Sequence, residues 1–282
     1  MSQLTVRRPL LGGIRTRSLE IEGAGPAFLL LHGYSDSADT WRPLMRELAR
    51  RGKTAVAVDL PGFGSADPPA PGPTLPQLDR FVADLVRERA NSRARPIIVG
   101  NSLGGVAALR AAQDPDLPLG GIVAVSPAGL GHQPWVDLAA REPVIHRVMT
   151  APIPVPMRLV RWSVRQGFRR LAVADASRVD PAVLRAYASR YRRPEDMRRF
   201  VREARSLLRE LESAYELERI GRPVLLLWGA KDPLTPSAGA QRVLDAVPGA
   251  ELTMLDDCGH CAHLERPDRI AALTVEFAER GH

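Results

Sequence analysis

Ser102 stands in the string Gly100-Asn101-Ser102-Leu103-Gly104. A serine hydroxyl becomes a nucleophile only when a base takes its proton, so the string matters only if a histidine and an acid reach it. Of the six histidines, His282 is terminal, His132 and His146 lie in an arginine-rich stretch, and His32 follows an early apolar run. His260 and His263 follow the last apolar run. His260 falls in the loop Asp256-Asp257-Cys258-Gly259-His260, and a loop there brings an imidazole over the serine. His263 falls at the start of the final helix, where capping or packing is its expected role. An acid must orient the imidazole and stabilise its protonated form. Asp232 follows the penultimate apolar run, in Trp228-Gly-Ala-Lys-Asp232-Pro233. Asp257 is too close to His260 in sequence to face the ring's far nitrogen. Ser102, His260 and Asp232 are therefore the expected nucleophile, base and orienting acid, with no metal or cofactor called for.

The two cysteines, Cys258 and Cys261, form a C-x-x-C around Gly259-His260. Alone, that spacing suggests a thiol-disulfide site. Such sites normally open a helix early in a βαβ unit, whereas this one lies near the end of the chain. Two cysteines and one histidine also leave a tetrahedral zinc site one ligand short.

The elements that must position these residues read as strand-helix alternation. Strands are expected at Ala27–Leu31, Thr54–Asp59, Ile97–Gly100, Gly121–Ser126, Val224–Trp228 and Glu251–Leu255. They are rich in Val, Ile and Leu with little polar alternation, as strands buried on both faces of a parallel sheet are. Helices are expected at Ala38–Arg51, Leu75–Arg89 and about Pro267–Arg280, each with one apolar face. The first 22 residues read as a hairpin turning at Gly12-Gly13. The fold class is thus α/β, a doubly wound, mostly parallel sheet of about eight strands. In that frame the serine string follows a strand and opens a helix, the context in which G-x-S-x-G lifts a strained serine above a sheet.

The rhythm breaks between about Ala128 and Ile220. Residues 132–218 hold 17 arginines and 11 acids, which is +6 of the net +7. The expected division is a core of residues 1–127 and 220–282 with a helical cap, or lid, inserted at 128–219. An insertion at the carboxyl edge of the strands overlies the place where open α/β sheets bind ligands.

Five motifs in order resemble those of the α/β-hydrolase superfamily over almost the whole chain. They are Leu31-His32-Gly33-Tyr34, Asp59-Leu-Pro-Gly-Phe-Gly64, Gly100–Gly105, Trp228-Gly-x-x-Asp232, and Gly259-His260 with Glu265 and Pro267 following. The resemblance implies an oxyanion hole made by the backbone N–H groups of Tyr34 and Leu103, and a cap at the insertion. His32 is expected to be a hydrogen-bonded structural residue. Ala66 stands where the family often has serine, and Cys261 where it often has a bulky residue.

The resemblance makes carboxylic ester hydrolysis through an acyl-enzyme the leading expectation, on a small-molecule ester or acyl substrate. Carbon-carbon hydrolysis of the meta-cleavage-product type, or cofactor-free perhydrolase chemistry, is the alternative on the same triad. The G-x-G-P-G-A string usual in meta-cleavage hydrolases is absent. A non-catalytic binding protein is the third class, and the intact triad argues against it. Trp135, Met149, Met157, Trp162 and Phe168 are candidate pocket residues, against the plainer reading that they are the cap's own core. Only Lys53 and Lys231 are lysines, and no nucleic-acid-binding signature accompanies the positive charge, so no nucleic-acid partner is expected. Val155–Leu171 mixes apolar residues with five arginines and is a candidate for peripheral contact with an anionic membrane. No signal peptide or membrane-spanning run is read, which makes the cytoplasm the expected location and a monomer or homodimer the expected form.

Overall fold

The computed structural model describes residues 3–90, 94–131 and 156–280. Eight strands form one sheet: β1 (Thr5–Arg7), β4 (Ser18–Ile21), β5 (Ala24–Leu31), β6 (Lys53–Val58), β7 (Ile97–Asn101), β8 (Gly121–Val125), β9 (Val224–Gly229) and β10 (Glu251–Leu255). Their spatial order is β1-β4-β6-β5-β7-β8-β9-β10. From β6 to β10 neighbouring strands are parallel, while β1 and β4 join one edge antiparallel. The early hairpin forms as β2 (Leu10–Leu11) and β3 (Ile14–Arg15), with Gly12 and Gly13 at φ 55° and 78°.

The apolar runs lack alternation because both faces of the sheet are covered. Leu29 and Leu31 of β5 pack with Ile98, Ile122 and Leu226 beneath α2 (Thr74–Arg89) and α3 (Leu103–Ala111). Phe28 and Leu30 pack with Val99, Val123 and Leu227 beneath α1 (Arg42–Arg50) and the C-terminal helix, α9 (Pro267–Glu279). The period of two simply sorts one strand between two cores. The helix expected over Ala38–Arg51 is split. A 3-10 turn, Ala38–Trp41, precedes α1, because Pro43 in the first α-turn has no N–H to give back to it.

Between β8 and β9 lie α4 (Met157–Leu171), α5 (Pro181–Ser189) and α6 (Pro194–Leu211). Phe168 on α4 stacks against Tyr187 on α5, ring centroids 4.6 Å apart. α6 lies outside this small cluster and packs into the main core through Leu207 and Leu211. Its Glu210 carboxylate accepts the N–H groups of Thr74 and Leu75 at 2.9 and 2.8 Å. A carboxylate on free N–H groups at a helix N-terminus is favourable both as acceptor and against the helix dipole, so α6 also anchors α2. The sheet continues into α7 (Ala240–Ala246), β10, α8 (Ala262–Glu265) and α9. Among the described residues no helix is long and apolar enough to cross a membrane.

Candidate active site

Ser102 sits between the end of β7 and the start of α3 at φ 53°, ψ −111°, a backbone conformation costly for a residue with a Cβ. Its N–H donates to Val125 C=O at 3.0 Å, which ties the turn to the neighbouring strand. The turn closes only because its neighbours are small. A Cβ on Gly100 would run into the carbonyl of Gly104, and one on Gly104 into the carbonyl of Leu31. The turn at Gly33 passes directly beside the serine: a Cβ there would lie 3.4 Å from Ser102 Cβ.

His260 and Asp232 come from the loops after β10 and β9. His260 Nδ1 lies 2.8 Å from Asp232 Oδ2, and the two side chains are 7% and 1% exposed. With Nδ1 turned to the carboxylate, Nε2 is the nitrogen left for a substrate or a hydroxyl. Asp232 is held from every side. Its Oδ1 accepts the N–H groups of Leu234 and Thr235 at 2.8 and 3.0 Å. Its Oδ2 accepts the Thr235 hydroxyl at 2.6 Å, and that same hydroxyl lies 3.1 Å from His260 Nδ1. Burial pushes the Asp232 carboxyl up, but the hydrogen bond and charge of His260 and the bonds from Thr235 outweigh it and hold the group below its ordinary range.

The other titratable candidates serve different ends. His32 is fully buried; its Nδ1–H donates to Gly33 C=O at 2.8 Å and its Nε2 accepts the N–H of Leu60 at 2.9 Å. His263 packs on Trp41, ring centroids 4.3 Å apart, and burial drives it down to about 3, so it stays neutral. Asp257 bonds to Arg178 and Arg266 at 2.7 and 2.6 Å, on the surface. Cys258 and Cys261 are buried free thiols. Burial pushes Cys258 up to about 12 and Cys261 well above its ordinary value, the reverse of a reactive C-x-x-C pair.

Ser102, His260, Tyr34 and Leu103 line one cavity of about 390 Å³. Its walls are mainly the apolar side chains of α4 and α6, including Phe168, Leu171, Phe200, Val201 and Leu208, with Arg205 the one arginine or lysine among the described lining residues. Of the five pocket candidates, Phe168 lines the cavity. Met157 and Trp162 do not. Met157 shares a helix face with Phe168 but sits three turns away along α4, and Trp162 points outward, 51% exposed. Trp135 and Met149 lie outside the described residues.

Three residues that motif reading passed over hold the site together. Thr235 supports Asp232; the signal was there in Asp-Pro-Leu-Thr, since an aspartate readily accepts the N–H two residues on. Asn101, read as part of the serine string but given no role there, donates from Nδ2 to His260 C=O at 3.0 Å and so joins the serine turn to the histidine loop. Tyr191 meets the Ser35 hydroxyl at 2.8 Å. It belongs to a set: Tyr34 Oη donates to Phe200 C=O at 2.7 Å, and Arg190 donates to Asp36 C=O at 2.5 Å. Three consecutive residues of the turn beside Ser102 are therefore each bound to the inserted helices or the link between them. Ser35 holds φ 56° within this turn, and Asp36, also on the cavity wall, has its carboxyl pushed up by burial against the opposing charge of Arg190.

Comparison with known proteins places this geometry. The chain is 30% identical over 270 residues to the dihydrolipoyllysine-residue acetyltransferase component of the acetoin cleaving system of Cupriavidus necator, with 93% of this chain and 66% of that relative covered; the chain spans just under two thirds of its length. It is 28% identical over 276 residues to 2-hydroxy-6-oxo-6-(2'-aminophenyl)hexa-2,4-dienoic acid hydrolase of Metapseudomonas resinovorans, covering 95% of this chain and 89% of the relative. The solved structure of 2-hydroxy-6-oxo-6-phenylhexa-2,4-dienoate hydrolase from Rhodococcus sp. strain RHA1 superposes with a TM-score of 0.79 at 23% identity, over 99% of this chain and 100% of that one. The sequence profile of the alpha/beta hydrolase family matches residues 28–273. With that match running from β5 into the C-terminal helix, the chain belongs to the alpha/beta hydrolase family.

Proposed function

We infer that this protein is a serine hydrolase that cleaves a carbon-carbon bond next to a ketone in an unsaturated keto acid, the substrate type for which its dienoic acid hydrolase relative is named. The observation that carries the serine mechanism is the 2.8 Å bond from His260 Nδ1 to a fully buried Asp232, beside a serine held at positive φ. His260 Nε2 takes the Ser102 proton as Oγ attacks the ketone carbon. Asp232 stabilises the imidazolium without taking its proton. The N–H groups of Tyr34 and Leu103 receive the oxyanion, at about 3–4 kcal/mol per donor. As the tetrahedral species collapses, the carbon-carbon bond breaks, and the departing carbon, its charge spread over the conjugated acid, takes the proton from His260. Water, deprotonated by His260, then frees the acyl group from Ser102. Arg205 suits the carboxylate of such a substrate, and the apolar wall suits its hydrocarbon end. In this reading residues 128–219 act as the cap that shapes the pocket.

Ester hydrolysis on the same triad is the second reading, and the apolar cavity favours it: Phe168, Phe200, Val201 and Leu208 would seat an uncharged acyl chain. The two separate in one experiment. The purified chain is assayed for loss of the 2-hydroxy-6-oxo-6-phenylhexa-2,4-dienoate chromophore and against p-nitrophenyl esters of increasing chain length. Turnover of the dienoate that Ser102→Ala abolishes is expected. Ester turnover with none of the dienoate favours the second reading. No labelling by a fluorophosphonate, or equal labelling of Ser102→Ala, overturns the serine nucleophile altogether.

A further inference from the structure

Helix α4 carries five arginines and no acid in fifteen residues. At about 100° per residue its side chains sort into three arcs. Val160, Val164, Gly167, Phe168 and Leu171 share the arc turned toward the protein. Arg158, Arg161, Arg165 and Arg169 fall within about 80° of one another on a second arc. Trp162, Leu159 and Arg170 follow on the outermost arc. Trp162 and Leu159 are 51% and 50% exposed, and Leu171, on the inward arc at the helix's last residue, is 46% exposed.

Large exposed apolar side chains are ordinary when scattered. Here three of them share one helix with a cationic stripe. Among the described residues that stripe is also unneutralised, with Arg161 giving one bond to Tyr191 C=O at 3.4 Å. Among the described residues Arg158, Arg165, Arg169 and Arg170 have no carboxylate partner, whereas Arg42, Arg89 and Arg110 on the core helices are each ion-paired. The helix is, in addition, a wall of the cavity: Gly167, Phe168 and Leu171 line it.

We propose that α4 docks this protein onto an anionic lipid bilayer, with Trp162 and Leu159 entering the headgroup boundary and the arginine stripe neutralising acidic headgroups. Charge complementarity selects this occupant. A stripe of uncompensated arginines meets its opposite in a sheet of lipid phosphates, and the aromatic and aliphatic side chains beside it gain by leaving water there. The inference concerns adsorption and rests on no step of the reaction.

The test is sedimentation of the full chain with vesicles of phosphatidylcholine, alone or equimolar with phosphatidylglycerol. Partition at least about tenfold stronger into the anionic vesicles is expected. It should vanish in about 1 M salt, where the Debye length falls to about 3 Å. Brominated lipid should quench tryptophan emission in the wild type and not in Trp162→Phe, which still binds. Arg158→Glu/Arg169→Glu should lose about tenfold or more in partition with unchanged turnover of a water-soluble substrate. Arg80→Glu/Arg87→Glu on α2 makes the same change in net charge and should bind as wild type. Equal partition into both vesicles, no partition, or equal loss in the two charge-reversal variants overturns the proposal. So does vesicle-independent self-association that Trp162→Ser abolishes.

Discussion

Thr235→Val removes one hydroxyl from the acid end of the His260–Asp232 pair and leaves the backbone in place. The lost bond, Thr235 Oγ1–H to Asp232 Oδ2 at 2.6 Å, is charge-assisted. Such bonds contribute about 1.5–3 kcal/mol. Asp232 keeps two backbone N–H donors on Oδ1 and the imidazole on Oδ2, so the carboxylate stays in the site but loses its fixed rotation. The methyl that replaces Oγ1 also crowds Oδ2. If the full bond energy is expressed in the transition state, where the imidazolium needs its partner most, kcat falls by about 10- to 150-fold, since each factor of ten is about 1.4 kcal/mol. The expected result lies near the lower figure, with KM within about twofold. Thr235→Ser keeps the hydroxyl and should restore most of the rate.

The same variant has a pH signature. The Asp232 carboxyl is held below its ordinary range in the folded protein, partly by Thr235. A depressed carboxyl contributes stability above its unfolded pKa, and that stability is lost as pH falls through the lower, folded value. Removing the hydroxyl raises the folded value, so Thr235→Val should have a smaller share of stability to lose and should have lost all of it at a higher pH than wild type. Steady-state kinetics and thermal melts across the acid range check both effects. A folded Thr235→Val with kcat within twofold of wild type, or a Thr235→Ser as impaired as the valine variant, refutes the role assigned to the hydroxyl.

Gly104→Ala drives a methyl into the Leu31 carbonyl; denaturant titration should show a loss of about 1–3 kcal/mol or more, with kcat falling as the serine turn shifts. Tyr191→Phe keeps the ring beside Phe200 and loses only the bond to Ser35; kcat should fall about fivefold, the worth of about 1 kcal/mol, at nearly constant KM, and a change confined to KM would break the link between this tyrosine and the oxyanion turn. Both thiols are buried and pushed up in pKa, so iodoacetamide at pH 8 should leave the native chain unmodified and label both cysteines after denaturation, as mass spectrometry would read.

The sheet and the serine turn were legible in the sequence for physical reasons. Strands covered on both faces must be apolar throughout, and a turn as tight as Gly100–Gly104 cannot be built with side chains at its ends. Asp232 and His260 were legible because they follow apolar strands at the sheet's functional edge. The cavity wall was not. Trp162 and Phe168 are both large and aromatic on one helix, and only the direction of that helix decides that one lines the cavity while the other meets solvent. Composition favoured α4 as the pocket wall, yet α6 supplies more of it, through Phe200, Val201, Ala204, Leu207, Leu208 and Leu211. Thr235 and Asn101 act through hydrogen bonds to residues 3 and 159 positions away, and the second of these separations leaves no local pattern to read.

The bonds around the site also show why the bond-breaking groups and the substrate wall are not separable parts. Glu265, buried behind the histidine loop, accepts the Gly259 N–H at 2.7 Å and the N–H groups of Ala174 and Asp175 at 2.9 and 2.8 Å. The Cys261 N–H donates to Ala172 C=O at 2.7 Å. The loop that carries the base is thus built against the chain that follows α4, and the turn beside Ser102 is built against residues 190, 191 and 200. Each of these bonds lies in a buried or half-buried setting, where an orphaned backbone or hydroxyl group costs about 1–3 kcal/mol. A displacement of the inserted helices therefore cannot widen the pocket alone. It breaks several such bonds at once and moves the backbone on both sides of Ser102; on the proposed function, a substrate that seats well against α4 and α6 would also hold the Tyr34 turn and the histidine loop in register. On that function, binding energy gained on the apolar wall would be converted into alignment at Ser102, the form in which it accelerates a reaction rather than merely retaining the substrate.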